Sequence, residues 1–480
     1  MGLALRFYDL TDQPIDFHPT RQLRSAIIAR GMYYDMLPSG DPALREQAVS
    51  FWFSTGQYEP PILERLVACT YLLVGGEYLW IARIFTSIFW AIAGIALYDL
   101  ARRAAPRYAW GSALIGLAYF LFLPFAVQAS RSFQPDPGMV MWIVLSANML
   151  YRWSEKPTWH WAILAGLFGG VAMLTKVVAV YIVGGALLAL AVFTLGMRRF
   201  WRNPQVWVLA LLILLPSALY YLGREGRASE FFTSWTVSLS HLLLEPSFYV
   251  RWMNTVQNLV GLGALLAGLA GILIAHPRLR ALLLGLWGGY AIYGLFLPYQ
   301  MYTHSYYHLQ LVPIVALSLV PLIELILNRL SQERWWAQVV FAGLVMVGLA
   351  FSAAVSIGEM KTDDYRIEPA YWQEIASYLP SDGKIIALTQ DYGYRLMYYG
   401  WRKVILWPNR GELNVSRLRG SEKEFQEYFS KRTEGMSYFL ITAFNQFNDQ
   451  PDLQEYLKGH YPVVAQGVGY LIYDLAHPLQ

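Results

Sequence analysis

The sequence predicts an α-helical, polytopic membrane protein of about ten spans, at roughly 20 apolar residues per crossing, followed by a small C-terminal α/β domain. Three observations carry that prediction. The 480 residues are 56% hydrophobic and only 15% charged, with a mean hydropathy of +0.34, which is more apolar surface than one water-soluble core can bury. The apolar residues gather in continuous runs of helix-spanning length. Charged residues then return after Gly358, mixed with short β-rich runs. The 18 Trp and 33 Tyr suit a chain with many helix ends at membrane interfaces, where amphipathic rings are favoured.

Taken in order, the runs are residues 79–100, 109–127, 138–151, 159–175, 177–195, 206–222, 260–275, 281–297, 311–327 and 336–357. Each spans the hydrocarbon core once the shorter ones borrow flanking residues. Residues 62–73 are apolar but short and carry Glu64 and Arg65, so they read as a helix lying on the outer surface.

Basic residues set the orientation. One set of alternate loops carries Arg102, Arg103, Arg107, Arg152, Lys156, Arg198, Arg199, Arg202, Arg278, Arg280, Arg329 and Arg334. The other set carries about half as many, including Arg131, Arg224, Arg227 and Arg251. Positive residues are retained on the cytoplasmic side. Loops 130–137, 223–255 and 300–308, and everything after Gly358, are therefore expected on the extracytoplasmic face of the cytoplasmic membrane.

Three regions follow: an extracytoplasmic first loop with interfacial helices over 1–78, a transmembrane bundle over 79–357, and an extracytoplasmic α/β domain over 358–480. In the last, strands are expected at 384–388, 403–406, 437–442 and 469–473, and helices at 371–378 and 422–431. Residues 1–58 are polar, with no span and no signal peptide. Leu3, Leu5 and Phe7 resemble the last turn of a helix, so a first span upstream of Met1 is expected; an N-tail translocated without one is the alternative. A single Cys69 excludes an internal disulfide, and a net charge of +4 gives no support to a nucleic-acid partner.

Polar and ionisable residues at the membrane's edge are informative because each carries a desolvation cost unless it is paired or faces water. They cluster on the predicted outer side. The first group is Asp16, His18, Arg21 and Gln22, with a helical stretch over 25–34 and then Glu59 before Pro60 and Pro61. The second is Ser130, Arg131, Gln134 and Asp136; the third is His304, Tyr306, Tyr307 and His308. Each also has a plainer reading. Asp16 and Asp136 fit helix caps, Arg131 and Lys176 fit interfacial snorkelling, the 304–308 aromatics fit an interfacial belt, and Glu59 fits the start of an interfacial helix.

The order and spacing of Asp16, His18, Arg21 and Gln22, the Pro60-Pro61 pair leading to Ala82-Arg83, Ser130-Arg131 before Asp136, the 166–176 segment ending in Thr175-Lys176, and Tyr306-Tyr307 before a span resemble a known family. It is the GT-C superfamily of membrane glycosyltransferases, in the bacterial branch related to protein O-mannosyltransferases and the lipid A aminoarabinose transferase. The resemblance runs from Asp16 to the end of the last span. It implies a GT-C-like bundle that transfers one sugar, with inversion, from a polyprenyl-phosphate donor to a glycan, lipid or protein acceptor. Inverting transfer wants a carboxylate to take the acceptor's proton, a role expected of Asp16. A lipid-phosphate leaving group wants fixed cations and hydroxyls, expected of Arg21, Arg251, Lys176 and Tyr307. Asp136 and Glu59 would orient Arg21 or the acceptor, or hold a divalent metal if one is used; no cofactor is required. His18, Gln22, Arg131, Tyr306 and His308 would line the substrate pocket.

Two features depart from the family: its first transmembrane helix is absent here, and His18-Pro19 stand where some relatives carry an acidic pair. Two other classes compete. A secondary transporter or flippase would place its site at midplane in broken helices, whereas intramembrane charge is scarce here. An oligosaccharide ligase or polymerase would carry a larger outer loop between spans. The tail domain is open to acceptor binding or to bracing of the outer loops.

Overall fold

The computed structural model describes all residues except 38, 39, 57, 223–232, 382, 383, 421–423 and 480. Arg224, Arg227 and the start of the 422–431 stretch therefore lie outside the described residues. The chain forms two compact units. One comprises Met1–Thr11, Gln57–Leu66 and Trp80–Asp363, the other Asp12–Gly56, Val67–Leu79 and Asp364–Gln480.

The first unit is a helical bundle, and every predicted apolar run falls on a helix within it. Trp80–Ala104, Pro204–Leu222, Pro277–Phe296, Ser305–Leu330 and Trp335–Thr362 are each long and apolar enough to cross a membrane, and two bent pairs raise the number to as many as seven among the described residues. Trp159–Thr175 and Ala179–Leu195 are shorter apolar helices, and Asp136–Glu155 completes the set. The protein is thus a multi-pass membrane protein.

The bends have local causes. Ala109–Phe122 and Pro124–Arg131 meet at 62° where the sequence suggests one straight run. Pro124 lacks an N–H and drives the preceding Leu123 into extended backbone (φ −57°, ψ 121°), so the helix must restart. Pro246–Val260 and Leu262–Ile274 meet at 96° through Gly261, whose φ of +82° suits only glycine. Elsewhere small residues bring helices close. A Cβ at Gly285 would strike the carbonyl of Gly185, and one at Gly289 the carbonyl of Tyr181, so the small-xxx-small pair seats Pro277–Phe296 directly on Ala179–Leu195.

Asp136–Glu155 and Trp159–Thr175 form a hairpin, tied midway by Ser146 Oγ donating to the Ala165 carbonyl at 2.9 Å. The start of the first helix and the end of the second consequently lie together at one end of the bundle.

The second unit is built on a five-stranded sheet: β1 Ile385–Leu388, β2 Ile405–Leu406, β3 Tyr438–Ile441, β4 Val463–Gly467 and β5 Tyr470–Asp474, in the order β2-β1-β3-β5-β4. β1 runs parallel to β2 and β3, and β5 antiparallel to β3 and β4. Trp407, Phe429, Phe439, Phe447, Leu453 and Leu457 pack beneath it. Four strands lie where the sequence suggests. β4 is additional: it is an edge strand with exposed Val463 and Val464, so it lacks the buried alternation that marks a strand.

The unit's helices include Pro19–Met36, Pro42–Ser54, Glu368–Ser377 and Phe425–Thr433. Pro42–Ser54 was not expected, although Asp41 caps it by accepting from Ala43 N at 2.9 Å and Pro42 opens it. Arg30 binds this unit together. It pairs with Glu77 at 2.8 Å, donates to the Tyr398 carbonyl at 2.5 Å, and lies 3.6 Å over the Tyr398 ring. Burial alone would lower the Arg30 pKa, but Tyr398 and Glu77 outweigh it and raise the value.

Candidate active site

In the bundle unit, Asp136 is the first residue of its helix and Lys176 follows the last residue of Trp159–Thr175. A carboxylate at a helix start and an ammonium at a helix end each complement the local dipole, and the hairpin turns these two ends toward each other. Lys176 Nζ meets Asp136 Oδ1 at 2.8 Å, with the side chains 6% and 1% exposed. Asp136 is not an N-cap: that position belongs to Pro135, and the Asp136 side chain serves the ion pair instead. Its second oxygen, Oδ2, is buried with no hydrogen-bond partner among the described residues.

Aromatic rings close over the lysine. Lys176 Nζ lies 4.8 Å from the Tyr306 ring centroid and 4.7 Å from that of Tyr307, a cation–π arrangement on both. Tyr307 in turn stacks on Tyr293 at 6.2 Å. The structure thus brings Asp136, Lys176, Tyr306 and Tyr307 together from three separate loops.

The other expected site residues of this unit have different surroundings. His308 is buried between two partners: Tyr290 Oη lies 2.6 Å from Nδ1, and the Met301 carbonyl 2.8 Å from Nε2. A neutral ring accepting from the tyrosine and donating to the carbonyl satisfies both. Trp252 Nε1 extends the chain by donating to Tyr290 Oη at 3.1 Å. Arg251 is exposed, with its guanidinium 5.4 Å from the Tyr302 ring. Arg131 is buried, donates to the Asp9 carbonyl at 2.7 Å and contacts the Met360 sulfur. Glu59 is partly buried in the 57–66 segment.

In the second unit, Gln22 Nε2 donates to Asp16 Oδ1 at 3.0 Å and to the Phe17 carbonyl at 2.8 Å. Asp16 is therefore oriented by Gln22 and does not cap the following helix, whose N-cap is His18. His18 has a left-handed backbone (φ +46°), and its ring lies edge-on to Phe17 at 4.7 Å. Arg21 lies in the first turn of that helix, partly buried.

Two buried polar residues escaped the sequence reading of roles. The Gln134 side chain is fully buried, and neither its oxygen nor its nitrogen has a partner among the described residues. A polar residue wedged between Phe133 and Pro135 just ahead of Asp136 was the available signal. Arg6, also buried, donates to Ser130 Oγ at 2.6 Å and to the carbonyls of Gly2 and Leu121 at 2.8 and 2.9 Å. Among the described residues no three His, Cys, Asp or Glu side chains converge.

This fold, a many-helix bundle with a small C-terminal sheet domain, is shared with solved structures of low sequence identity. Over residues 58–221, about a third of the chain, the sequence matches the family model described as dolichyl-phosphate-mannose-protein mannosyltransferase. Among solved structures, ArnT from Cupriavidus metallidurans is similar in the apo state (TM-score 0.58, 16% identity) and bound to undecaprenyl phosphate (TM-score 0.55, 17% identity). In both comparisons 98% of this chain covers 96% of that one. The oligosaccharyltransferase AglB from Archaeoglobus fulgidus, in complex with an inhibitory peptide and a dolichol-phosphate, is similar at a TM-score of 0.54 and 14% identity, over 95% of this chain and 70% of that one. No curated protein matches the chain.

Proposed function

We propose that the protein is an inverting glycosyltransferase that moves a single sugar from a polyprenyl-phosphate donor to a glycan, lipid or protein acceptor at the outer face of the cytoplasmic membrane. The observation that carries this reading is the buried Asp136–Lys176 pair under Tyr306 and Tyr307, at one end of a GT-C bundle. The undecaprenyl phosphate bound to ArnT supports a lipid-phosphate donor. A single transferred sugar is favoured because the chain spans nearly all of ArnT but only 70% of the oligosaccharyltransferase.

In the reaction an acceptor hydroxyl oxygen bonds to the anomeric carbon, the bond from that carbon to the phosphate oxygen breaks, and polyprenyl phosphate leaves with the electron pair. The hydroxyl proton passes to a carboxylate. We assign that carboxylate to Asp16, which Gln22 holds by one oxygen. Developing charge on the phosphate is met by cations and donors fixed in a dry site, where they act most strongly. Lys176 and Tyr307 are assigned that task, with Arg21 and Arg251 as further phosphate contacts and Asp136 holding the ammonium in place. Arg131, Tyr306, His18 and Gln22 are assigned to the pocket, Glu59 to acceptor orientation, and His308 to supporting the aromatic wall through Tyr290.

The test is transfer of radiolabelled sugar from a panel of undecaprenyl-phosphate-linked hexoses and pentoses by purified protein. Wild type should label an acceptor, and Asp16→Asn should lose turnover while remaining folded. Full turnover by Asp16→Asn withdraws the assignment of the base. Failure of every donor with wild type withdraws the function.

A further inference from the structure

The turn after β1 is strained. Asp391 (φ +51°) and Tyr392 (φ +56°) are consecutive non-glycine residues in the left-handed region, which their Cβ atoms disfavour. Such backbone persists only where its surroundings over-determine it. Here they do: Asp391 Oδ1 accepts from Thr20 Oγ1 at 3.0 Å and Oδ2 from Arg395 Nε at 2.5 Å. Arg395 also donates to Glu368 Oε1 at 3.1 Å, and Trp372 Nε1 to Glu368 Oε2 at 2.7 Å.

The receiving side is strained as well. Thr20 lies in the first turn of Pro19–Met36, whose left-handed N-cap, His18, makes no side-chain cap bond. That same turn carries Arg21 and Gln22, and Gln22 holds Asp16. The chain before Asp16 is gripped by the tail too. The Asp12 carboxylate accepts from Tyr365 N at 3.1 and 3.2 Å, and Tyr399 Oη donates to Gln13 Oε1 at 3.0 Å. Segments of the C-terminal domain therefore tether the Asp16 loop on both sides.

We propose that the C-terminal domain is a positioning element for the catalytic loop, with Thr20 and Asp391 as positioning residues that set the geometry of Asp16 and Gln22. This rests on the reading of Asp16 as the base. Misplacing a reacting group by an ångström costs on the order of 100-fold in rate, while donor binding made by other residues is untouched. The full-length protein in detergent tests it, with the donor that wild type uses. Thr20→Val and Asp391→Ala should lower kcat by about 10- to 100-fold, with donor and acceptor KM within about twofold of wild type, and Thr20→Val, which spares the Asp391–Arg395 pair, should leave the melting temperature little changed. Thr20→Ser, which keeps the hydroxyl, should restore kcat.

Wild-type kcat in Thr20→Val overturns the proposal, as does a Thr20→Ser variant as impaired as Thr20→Val. A rise in acceptor KM at unchanged kcat also overturns it and makes the domain an acceptor-binding surface. Absence of transfer by wild type refutes the functional reading instead, so the two failures are distinguishable.

Discussion

The helix Asp136–Glu155 carries an ion pair near each end, and the two pairs are built differently. At the start, Asp136 engages Lys176 through one oxygen, with side chains 1% and 6% exposed, and leaves its other oxygen unused, as the Gln134 amide two residues earlier in the sequence is also left among the described residues. Near the far end, Arg152 meets Asp99 at 2.6 Å with side chains 21% and 23% exposed. Asp99 also takes Asn148 Nδ2 at 3.0 Å and Arg103 Nε at 3.3 Å. A half-solvated network with many donors loses little when one member goes. A dry pair costs more to desolvate than packing alone requires, and its unused polar atoms add to that cost. The second arrangement braces the bundle, whereas the first is the pair proposed to serve the donor phosphate.

The largest effect that would break this contrast lies in the dry pair. Asp136→Ala takes the carboxylate partner from a buried ammonium and should destabilise the protein by about 3–5 kcal/mol, read as a fall in unfolding temperature in detergent. The double variant Asp136→Ala/Lys176→Met removes both charges and should recover most of that loss, because apolar replacement of a whole buried pair is nearly neutral. It should nevertheless transfer no sugar. A double variant with wild-type turnover would make the pair a structural tie and erase the difference between the two ends.

Gln134 sharpens the same comparison by separating stability from function. Replacing an unpartnered buried amide with Met removes two unsatisfied polar atoms, so Gln134→Met should be neutral or stabilising by about 1 kcal/mol. If the amide serves the donor, kcat/KM should fall roughly 10- to 100-fold, equivalent to the 1–3 kcal/mol a hydrogen bond to a buried group carries. Lower stability together with intact transfer would mark Gln134 as a structural residue.

How much of this was legible in the sequence depends on the range of the interaction. The apolar runs all became helices because twenty residues of uniform hydropathy suffice to specify one in lipid. Loop parity placed Asp136, Lys176 and Tyr306-Tyr307 on one face, and the contacts among them agree. Local chemistry with a clear mark was partly missed: the Pro124 bend, Gly261, and the Asp41-Pro42 helix start each had a signature that hydropathy alone overrides. Nothing local pointed to the first-loop helices sharing a unit with the tail. The Arg30–Tyr398 bond joins residues 368 apart, and its two ends carry no shared pattern. Capping was a fair reading of Asp16 and Asp136 from spacing. Gln22 and Lys176 claimed their carboxylates because they lie near in space, which spacing does not report.

The smallest effect should come from the far end of the helix. Asp99→Asn keeps the side chain's shape but removes the charge that Arg152 and Arg103 share. With partners that reach solvent and with Glu155 also 3.6 Å from Arg103, the expected loss is at most about 1 kcal/mol and should shrink further as salt screens the pairs. Transfer should stay at the wild-type rate, because Lys176 and Tyr307, assigned to the phosphate, lie at the other end of the helix. If Asp99→Asn slowed transfer as much as Lys176→Met, the ion pairs would act on the reaction only through the rigidity of the bundle. The dry pair would then hold no role that the solvated network lacks.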